Sequence, residues 1–301
     1  MSSPIINVFF NNRVDLENSL GERVLYISLQ GRLGNQLFGL SDAYSLHKKF
    51  DLKIAIDITE VLSSGFGVPE WTKYTLNWDW LVIISNLNTS SQIYSGKRFN
   101  LGSVRNLDSA SPVDNFHGFM ASLEAIYNSG LFNRGEFPFN NLEFSKLKDN
   151  DLAVSMRLGD YYANPHLGIL PLSYYKKSIN SFNAALNFSE VVLFSDDLKE
   201  GKSKLESIGI LVNKFQSGST SLEILGTLSS ANFIIGSNST FAFWGAYFSK
   251  AETIFPEPFY LSNPNWHKKL YWEDLSTVRY SKFPRIRYVR NLILTYKSRH
   301  K

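Results

Sequence analysis

Apolar residues along this chain gather in short runs, each closed by a polar turn. Val24-Leu25-Tyr26-Ile27-Ser28-Leu29 is rich in apolar and β-branched residues and predicts a buried strand. A glycine-bearing polar turn, Gly31-Arg32-Leu33-Gly34-Asn35-Gln36, follows it. From Leu37 to Leu46 the apolar spacing becomes that of a helix, and Lys53–Asp57 predicts a second strand. A comparable series begins at Asp151–Arg157, which reads as a strand. It continues through a helix at Leu172–Ala185, a strand at Val191–Ser195, and a helix at Thr220–Ser230 with Leu222, Leu225 and Leu228 near one face. Ala231–Gly236 and Thr253–Phe255 predict further strands. Between them, Phe241–Phe248 is apolar nearly all round, so its helix must be buried. Such alternation predicts parallel α/β sheets. The pattern weakens over residues 60–150, where Ser, Asn, Gly and aromatics mix, and loops with short strands are expected. The polar stretch 140–150 makes a boundary. The expectation is α/β, two Rossmann-like domains over residues 1–150 and 151–301, facing across a cleft. Ligands of open parallel sheets bind outside the carboxyl ends of the strands.

Composition narrows the class. The chain has 301 residues and 44% hydrophobic residues, enough for two domains with well-buried cores. Its 23 Phe and 15 Tyr suit a carbohydrate or planar ligand. A net charge of +4 is far below the nucleic-acid-binding extreme. There is no cysteine, which excludes disulfides, a thiol nucleophile and a cysteine zinc site. No run reaches the roughly 20 apolar residues of a membrane helix. The first residues lack the basic start of a signal peptide, so the expected location is the cytoplasm. From Ser281 onward Lys282, Arg285, Arg287, Arg290, Lys297, Arg299 and Lys301 occur without an acid, interleaved with Tyr288, Leu292, Ile293, Leu294 and Tyr296. This tail is either a last helix with a solvated basic face or a peripheral contact with the inner face of the cytoplasmic membrane.

Four polar clusters fall at strand ends. In the Gly31–Gln36 turn, glycines permit close backbone approach, and the following helix start offers N–H groups. Arg157 ends the strand that opens the second series. It grips a phosphate through paired hydrogen bonds, or it pairs structurally with Asp160. In Ser195-Asp196-Asp197, carboxylates accept bonds from ribose or a purine, or cap the next helix; capping is preferred for Asp197. Gly236-Ser237-Asn238-Ser239-Thr240 places three hydroxyls and an amide at a helix start, an arrangement suited to an anion. The histidines are too scattered for zinc, and no phosphate-loop or nucleophile-elbow pattern occurs. Asp196-Asp197 lacks the Asp-x-Asp spacing of metal-dependent sugar transferases.

Taken in order, these clusters resemble the bacterial α-1,2-fucosyltransferases of glycosyltransferase family 11. The resemblance rests on Gly31–Phe38, Gly168-Ile169-Leu170-Pro171-Leu172-Ser173-Tyr174-Tyr175, Phe194–Asp197 and Ser237–Ala246, and covers most of residues 23–260. The family's His-x-Arg-Arg-x-Asp motif reads Ser155-Met156-Arg157-Leu158-Gly159-Asp160 here, so the His and the second Arg are absent. The resemblance implies a GT-B fold and inverting, metal-independent transfer of L-fucose from GDP-β-L-fucose, with no cofactor. It also implies a galactose-terminated or lipid-linked acceptor, in bacterial surface glycan (O-antigen) synthesis. Within it, Arg157 meets the β-phosphate and Ser237, Asn238, Ser239 and Thr240 hold the diphosphate. Ser195 and Asp196 lie at the ribose or guanine, and Gly34, Asn35 and Gln36 line the fucose end. Asp160 is the proton acceptor, or it only orients Arg157. Trp71, Trp78, His117 and Phe119 are the candidate acceptor surfaces. Two alternatives stay open: a fucosyltransferase of another linkage, and a GDP-sugar- or glycan-binding protein without turnover.

Overall fold

The computed structural model describes residues 5–7, 13–75, 78–85, 98–100, 115–118, 129–163, 169–185, 188–257 and 275–279. They form two compact units. The first comprises 1–133 and 138–141, and the second 134–137 and 142–301.

In the first unit the chain runs through β1 (Ile5–Asn7), α1 (Arg13–Leu20), β2 (Val24–Leu29), α2 (Leu33–Phe50), β3 (Lys53–Asp57) and α3 (Thr59–Ser63). A 3-10 turn at Glu70–Lys73 precedes β4 (Leu81–Ser85), β5 (Arg98–Asn100) and β6 (Asn115–Gly118). The strands form one sheet in the order β1-β4-β3-β2-β6-β5, and every pair is parallel. Strand β2 is buried along its whole length, as a parallel strand covered on both faces must be.

In the second unit β7 (Asp151–Met156), α4 (Gly159–Ala163), α5 (Leu172–Ala185), β8 (Glu190–Ser195), α6 (Leu198–Glu206) and β9 (Lys214–Phe215) come first. They are followed by α7 (Ser221–Ser229), β10 (Phe233–Ile235), α8 (Thr240–Phe248), β11 (Glu252–Glu257) and β12 (Leu275–Arg279). This sheet is also wholly parallel, in the order β12-β11-β10-β7-β8-β9. Helix α8 is buried from Ala242 to Phe248, as its unbroken apolar circumference requires.

The stretch 142–150, expected to close the first unit, belongs to the second. Phe144 lies so close to Gly226 of α7 that a β-carbon there would come within 2.6 Å of its ring. The Leu147 N–H donates to Ser230 Oγ at 3.0 Å, and the Ser189 N–H donates to the Asn150 carbonyl at 2.8 Å. These contacts tie a polar segment to the second sheet, which its composition alone does not reveal.

Strand order locates the sites. In the second sheet the chain builds outward from β7 to β9, then returns to the other side of β7 with β10. The switch point therefore lies between β7 and β10. In the first sheet the same reversal lies between β2 and β6. The Gly31–Gln36 turn leaves the carboxyl end of β2, and Arg157 and Ser237–Thr240 leave those of β7 and β10. Crevices for ligands open at such points.

Candidate active site

Arg157 stands just past β7, with its side chain 19% exposed. Its Nη2 lies 2.8 Å from the Asp160 carboxylate, and its Nη1 lies 3.3 Å from Asp196 Oδ2. The two acids are not equivalent. The Asp160 side chain is 46% exposed, whereas that of Asp196 is 15% exposed. Asp196 Oδ1 also accepts the Leu158 N–H at 2.8 Å. The carboxylate fits there because residue 159 is glycine, since a β-carbon at that position would lie 2.6 Å from Asp196 Oδ2. One face of the guanidinium rests on Tyr161, with Cζ 5.4 Å from the ring centroid. The Tyr161 hydroxyl in turn donates to the Asn238 carbonyl at 2.7 Å.

That last bond joins α4 to the β10–α8 turn. Ser237, Asn238 and Ser239 are all buried, and Thr240 is half-buried. Ser239 caps α8, its Oγ accepting the Ala242 N–H at 3.1 Å. The Ser237 hydroxyl bridges Ser239 Oγ at 2.9 Å and Ser155 Oγ at 3.0 Å. A line of three hydroxyls thus crosses the switch point from β7 to the helix start. Two buried tyrosines fix it from below. The Tyr174 hydroxyl donates to the Gly236 and Ile254 carbonyls at 2.7 and 3.1 Å, and the Tyr175 hydroxyl donates to the Ser155 carbonyl at 3.3 Å.

The structure thus brings Arg157, Asp160, Asp196 and the Ser237–Thr240 turn together. Ser195 adjoins them but works on the backbone: its N–H donates to Gln216 Oε1 at 3.0 Å, and its Oγ accepts the Asp197 N–H at 3.1 Å. Asp197 caps α6 through the Glu200 N–H at 3.0 Å, the preferred reading of its sequence position. Leu158, where the family motif carries its second arginine, is fully buried in the core. Ser155, where the motif carries histidine, is tied into the hydroxyl line.

In the first unit Gly34 and Asn35 open α2. Gly34 is buried and Asn35 half-buried. Gln36 is occupied at both ends of its amide: Nε2 donates to the Gly31 carbonyl at 2.7 Å, and Oε1 accepts the Trp71 Nε1–H at 2.8 Å. Trp71 is 0% exposed and offers no open stacking face; its indole instead ties the loop after α3 to the Gly31–Gln36 turn. Trp78 is half-buried, stacked on Trp80 with centroids 5.3 Å apart, at the amino end of β4. That edge lies opposite the one where the sheet's ligand crevice opens. His117 lies on β6, in register with Ser28 and Asn100, but its side chain is outside the described residues, as is Phe119. The residues after Arg279, including the basic tail, are outside them too. Reading by local spacing did not single out Tyr161 or Gly159. Only Tyr161 left a signal, four positions after Arg157.

Among the described residues no group of three or more His, Asp or Glu is placed to hold a metal ion. No helix among them is long and apolar enough to cross a membrane.

The chain thus folds as two parallel α/β units, each with polar turns at the switch point of its sheet. The model of Glycosyl transferase family 11 matches residues 103–277, more than half the chain, and the chain belongs to that family. It is 27% identical over 276 residues to an alpha-1,2-colitosyltransferase of Escherichia coli, covering 79% of this chain and 92% of that protein. It is 29% identical over 109 residues to the O-antigen biosynthesis glycosyltransferase WbnK of Escherichia coli. That match covers 34% of this chain and about a third (36%) of the relative. Among solved structures, a glycosyl transferase family 9 protein from Veillonella parvula aligns with a TM-score of 0.48 at 12% identity, covering 93% of this chain and 92% of that one. The Escherichia coli heptosyltransferase WaaC aligns with a TM-score of 0.46 at 10% identity, covering 92% and 100%.

Proposed function

We propose that the protein transfers L-fucose from GDP-β-L-fucose to the 2-hydroxyl of a galactoside, with inversion, in the synthesis of a bacterial surface glycan. The observation that carries this is Arg157 poised beside the Ser237–Thr240 helix start, at the switch point of a family 11 sheet. Breaking the bond between fucose C1 and the β-phosphate oxygen leaves charge on GDP. A guanidinium and a helix start, fixed before the reaction begins, stabilise that charge without reorganising. In this reading Arg157 bonds the β-phosphate and Ser237–Thr240 receive the diphosphate. No cofactor takes part, and no resident metal is needed.

Asp196 then acts as a positioning residue rather than a reader of ribose, because both its oxygens already serve Arg157 and the Leu158 N–H. Asp160 is the more exposed acid, so the donor phosphate displaces it from Nη2. The freed carboxylate takes the proton of the acceptor 2-hydroxyl as the new C1–O bond forms and GDP departs with the electron pair. The first unit carries the acceptor. The acceptor is a galactose-terminated oligosaccharide or lipid-linked glycan. Work at the cytoplasmic face of the membrane, with the basic tail as a peripheral contact, suits such an acceptor.

A second reading changes only the donor. The relative matched over most of its length is named a colitosyltransferase, so a GDP-linked colitosyl group is the competing substrate. Incubation with either GDP-sugar and lacto-N-biose, N-acetyllactosamine or lactose, followed by linkage mapping, decides between them. Binding without transfer would favour a protein without turnover.

A further inference from the structure

We propose that Tyr161 is a positioning residue that makes Arg157 and the start of α8 act as one diphosphate site; this rests on the donor reading above and names the side chain that couples its two halves. Tyr161 is 6% exposed, and its two ends serve two different elements. Its ring lies against the Arg157 guanidinium, whose Cζ is 5.4 Å from the ring centroid. Its hydroxyl donates to the Asn238 carbonyl at 2.7 Å, joining residues 77 apart in sequence. That carbonyl belongs to the peptide that opens α8. The peptide is planar, with the Asn238 carbonyl on one side and the Ser239 N–H on the other. Tyr161 holds the carbonyl, and the Ser239 N–H donates to the Ser237 carbonyl at 2.8 Å. The plane is therefore fixed at both ends. It leads directly into Thr240 and Phe241, whose N–H groups have no earlier carbonyl within the helix to bond and suit an anion.

Tyr161 transmits position because its own helix is held. Leu158, just before α4, is fully buried in the core, and the neighbouring Tyr162 hydroxyl donates to the Glu200 carboxylate on α6. A ring is also a suitable support for the arginine. Its face attracts a guanidinium without taking an N–H donor. Asp160 and Asp196 do take such donors, and so compete with a phosphate for them. The phenol thus steadies Arg157 while leaving its charge for the leaving group.

Calorimetric titration of the full chain with GDP tests this in wild type, Tyr161→Phe, Tyr161→Leu, Arg157→Ala and the double variant of Arg157→Ala with Tyr161→Phe. Near-ultraviolet circular dichroism checks that each is folded. Tyr161→Phe keeps the ring beside Arg157 and removes only the bond to Asn238. The expected result is about 3–10-fold weaker GDP binding in Tyr161→Phe and a larger loss in Tyr161→Leu. In the Arg157→Ala background Tyr161→Phe should cost distinctly less, because half of the coupled site is already gone. A residue that merely props the fold would cost the same in both backgrounds. Equal losses in the two backgrounds, or wild-type GDP affinity in Tyr161→Phe, overturn the coupling. Wild-type GDP affinity in Arg157→Ala overturns the donor reading itself. Coupled GDP binding with no fucosyl transfer would leave the coupling standing and overturn the activity.

Discussion

Asp160 and Arg157 meet at 2.8 Å on the exposed side of the guanidinium, three residues apart in sequence. Asp196 holds the other side at 3.3 Å from a position 38 residues downstream of the Leu158 N–H it also binds. The arginine is thus held at 2.8 Å by an exposed acid and at 3.3 Å by a more buried one. Removing it tests the proposed leaving-group contact. Arg157→Ala is expected to cut turnover by roughly 10²–10³-fold at saturating acceptor. Arg157→Lys should recover little, because a point charge cannot span two oxygens as a planar fork does. Steady-state kinetics measure both, and Arg157→Ala activity within a few-fold of wild type would remove the residue from the reaction.

The two acids should respond differently. Asp160→Asn is expected to keep or tighten GDP binding, since a competing anion is gone, while turnover falls by about 10²-fold. Asp196→Asn should instead weaken GDP binding, because Arg157 loses its fixed partner. Calorimetry with GDP beside initial-rate kinetics separates these effects, and identical behaviour of the two variants would erase the division of roles.

Gly159 sits in ordinary backbone conformation, so Gly159→Ala carries no left-handed strain. Its new methyl would lie 2.6 Å from Asp196 Oδ2 and must push that carboxylate away. A shift of this kind should cost about 10–100-fold in kcat/KM. The melting temperature should move by no more than a few degrees. Wild-type kcat/KM in this variant would show that the Asp196 position does not matter.

Asp42 supplies a pH test in the first unit. It is 6% exposed on α2, and among the described residues its Oδ2 has no hydrogen-bond partner. Burial raises its carboxyl well above the ordinary value of 3.8. The folded chain therefore keeps a proton that the unfolded chain releases above that pH. Stability from this group is full below about pH 3.8 and falls as pH rises toward the raised folded value. Asp42→Asn removes the ionisation, so its advantage over wild type should grow as pH rises above the ordinary carboxyl value. Denaturant melts at pH 5, 6 and 7 measure it; parallel stability curves for the two proteins would contradict the assignment.

Local order was legible where one face or both faces of an element are apolar. Lys53–Asp57 and Leu172–Ala185 have the bounds that hydrophobic spacing predicts. The polar clusters at Gly31, Arg157, Ser195 and Ser237 also announced strand ends, because a buried strand must surface in a polar turn. Tertiary closure was not legible. The Ser155–Ser237 bridge joins residues 82 apart, and the Gln36–Trp71 bond joins residues 35 apart. Such pairs depend on strand order and register, which periodicity does not encode. Trp71 shows the consequence: from sequence the tryptophan looks like the sugar surface, yet it is the buried anchor.

The most direct test is product linkage. Wild-type protein is incubated with GDP-β-L-fucose and with GDP-colitose, each with lacto-N-biose, N-acetyllactosamine and lactose, and the products are assigned by NMR. The predicted result is an α-1,2-linked fucosyl galactoside from GDP-β-L-fucose, absent with Arg157→Ala. Transfer to another hydroxyl, transfer from the colitosyl donor alone, or GDP-fucose binding without any transfer would contradict it.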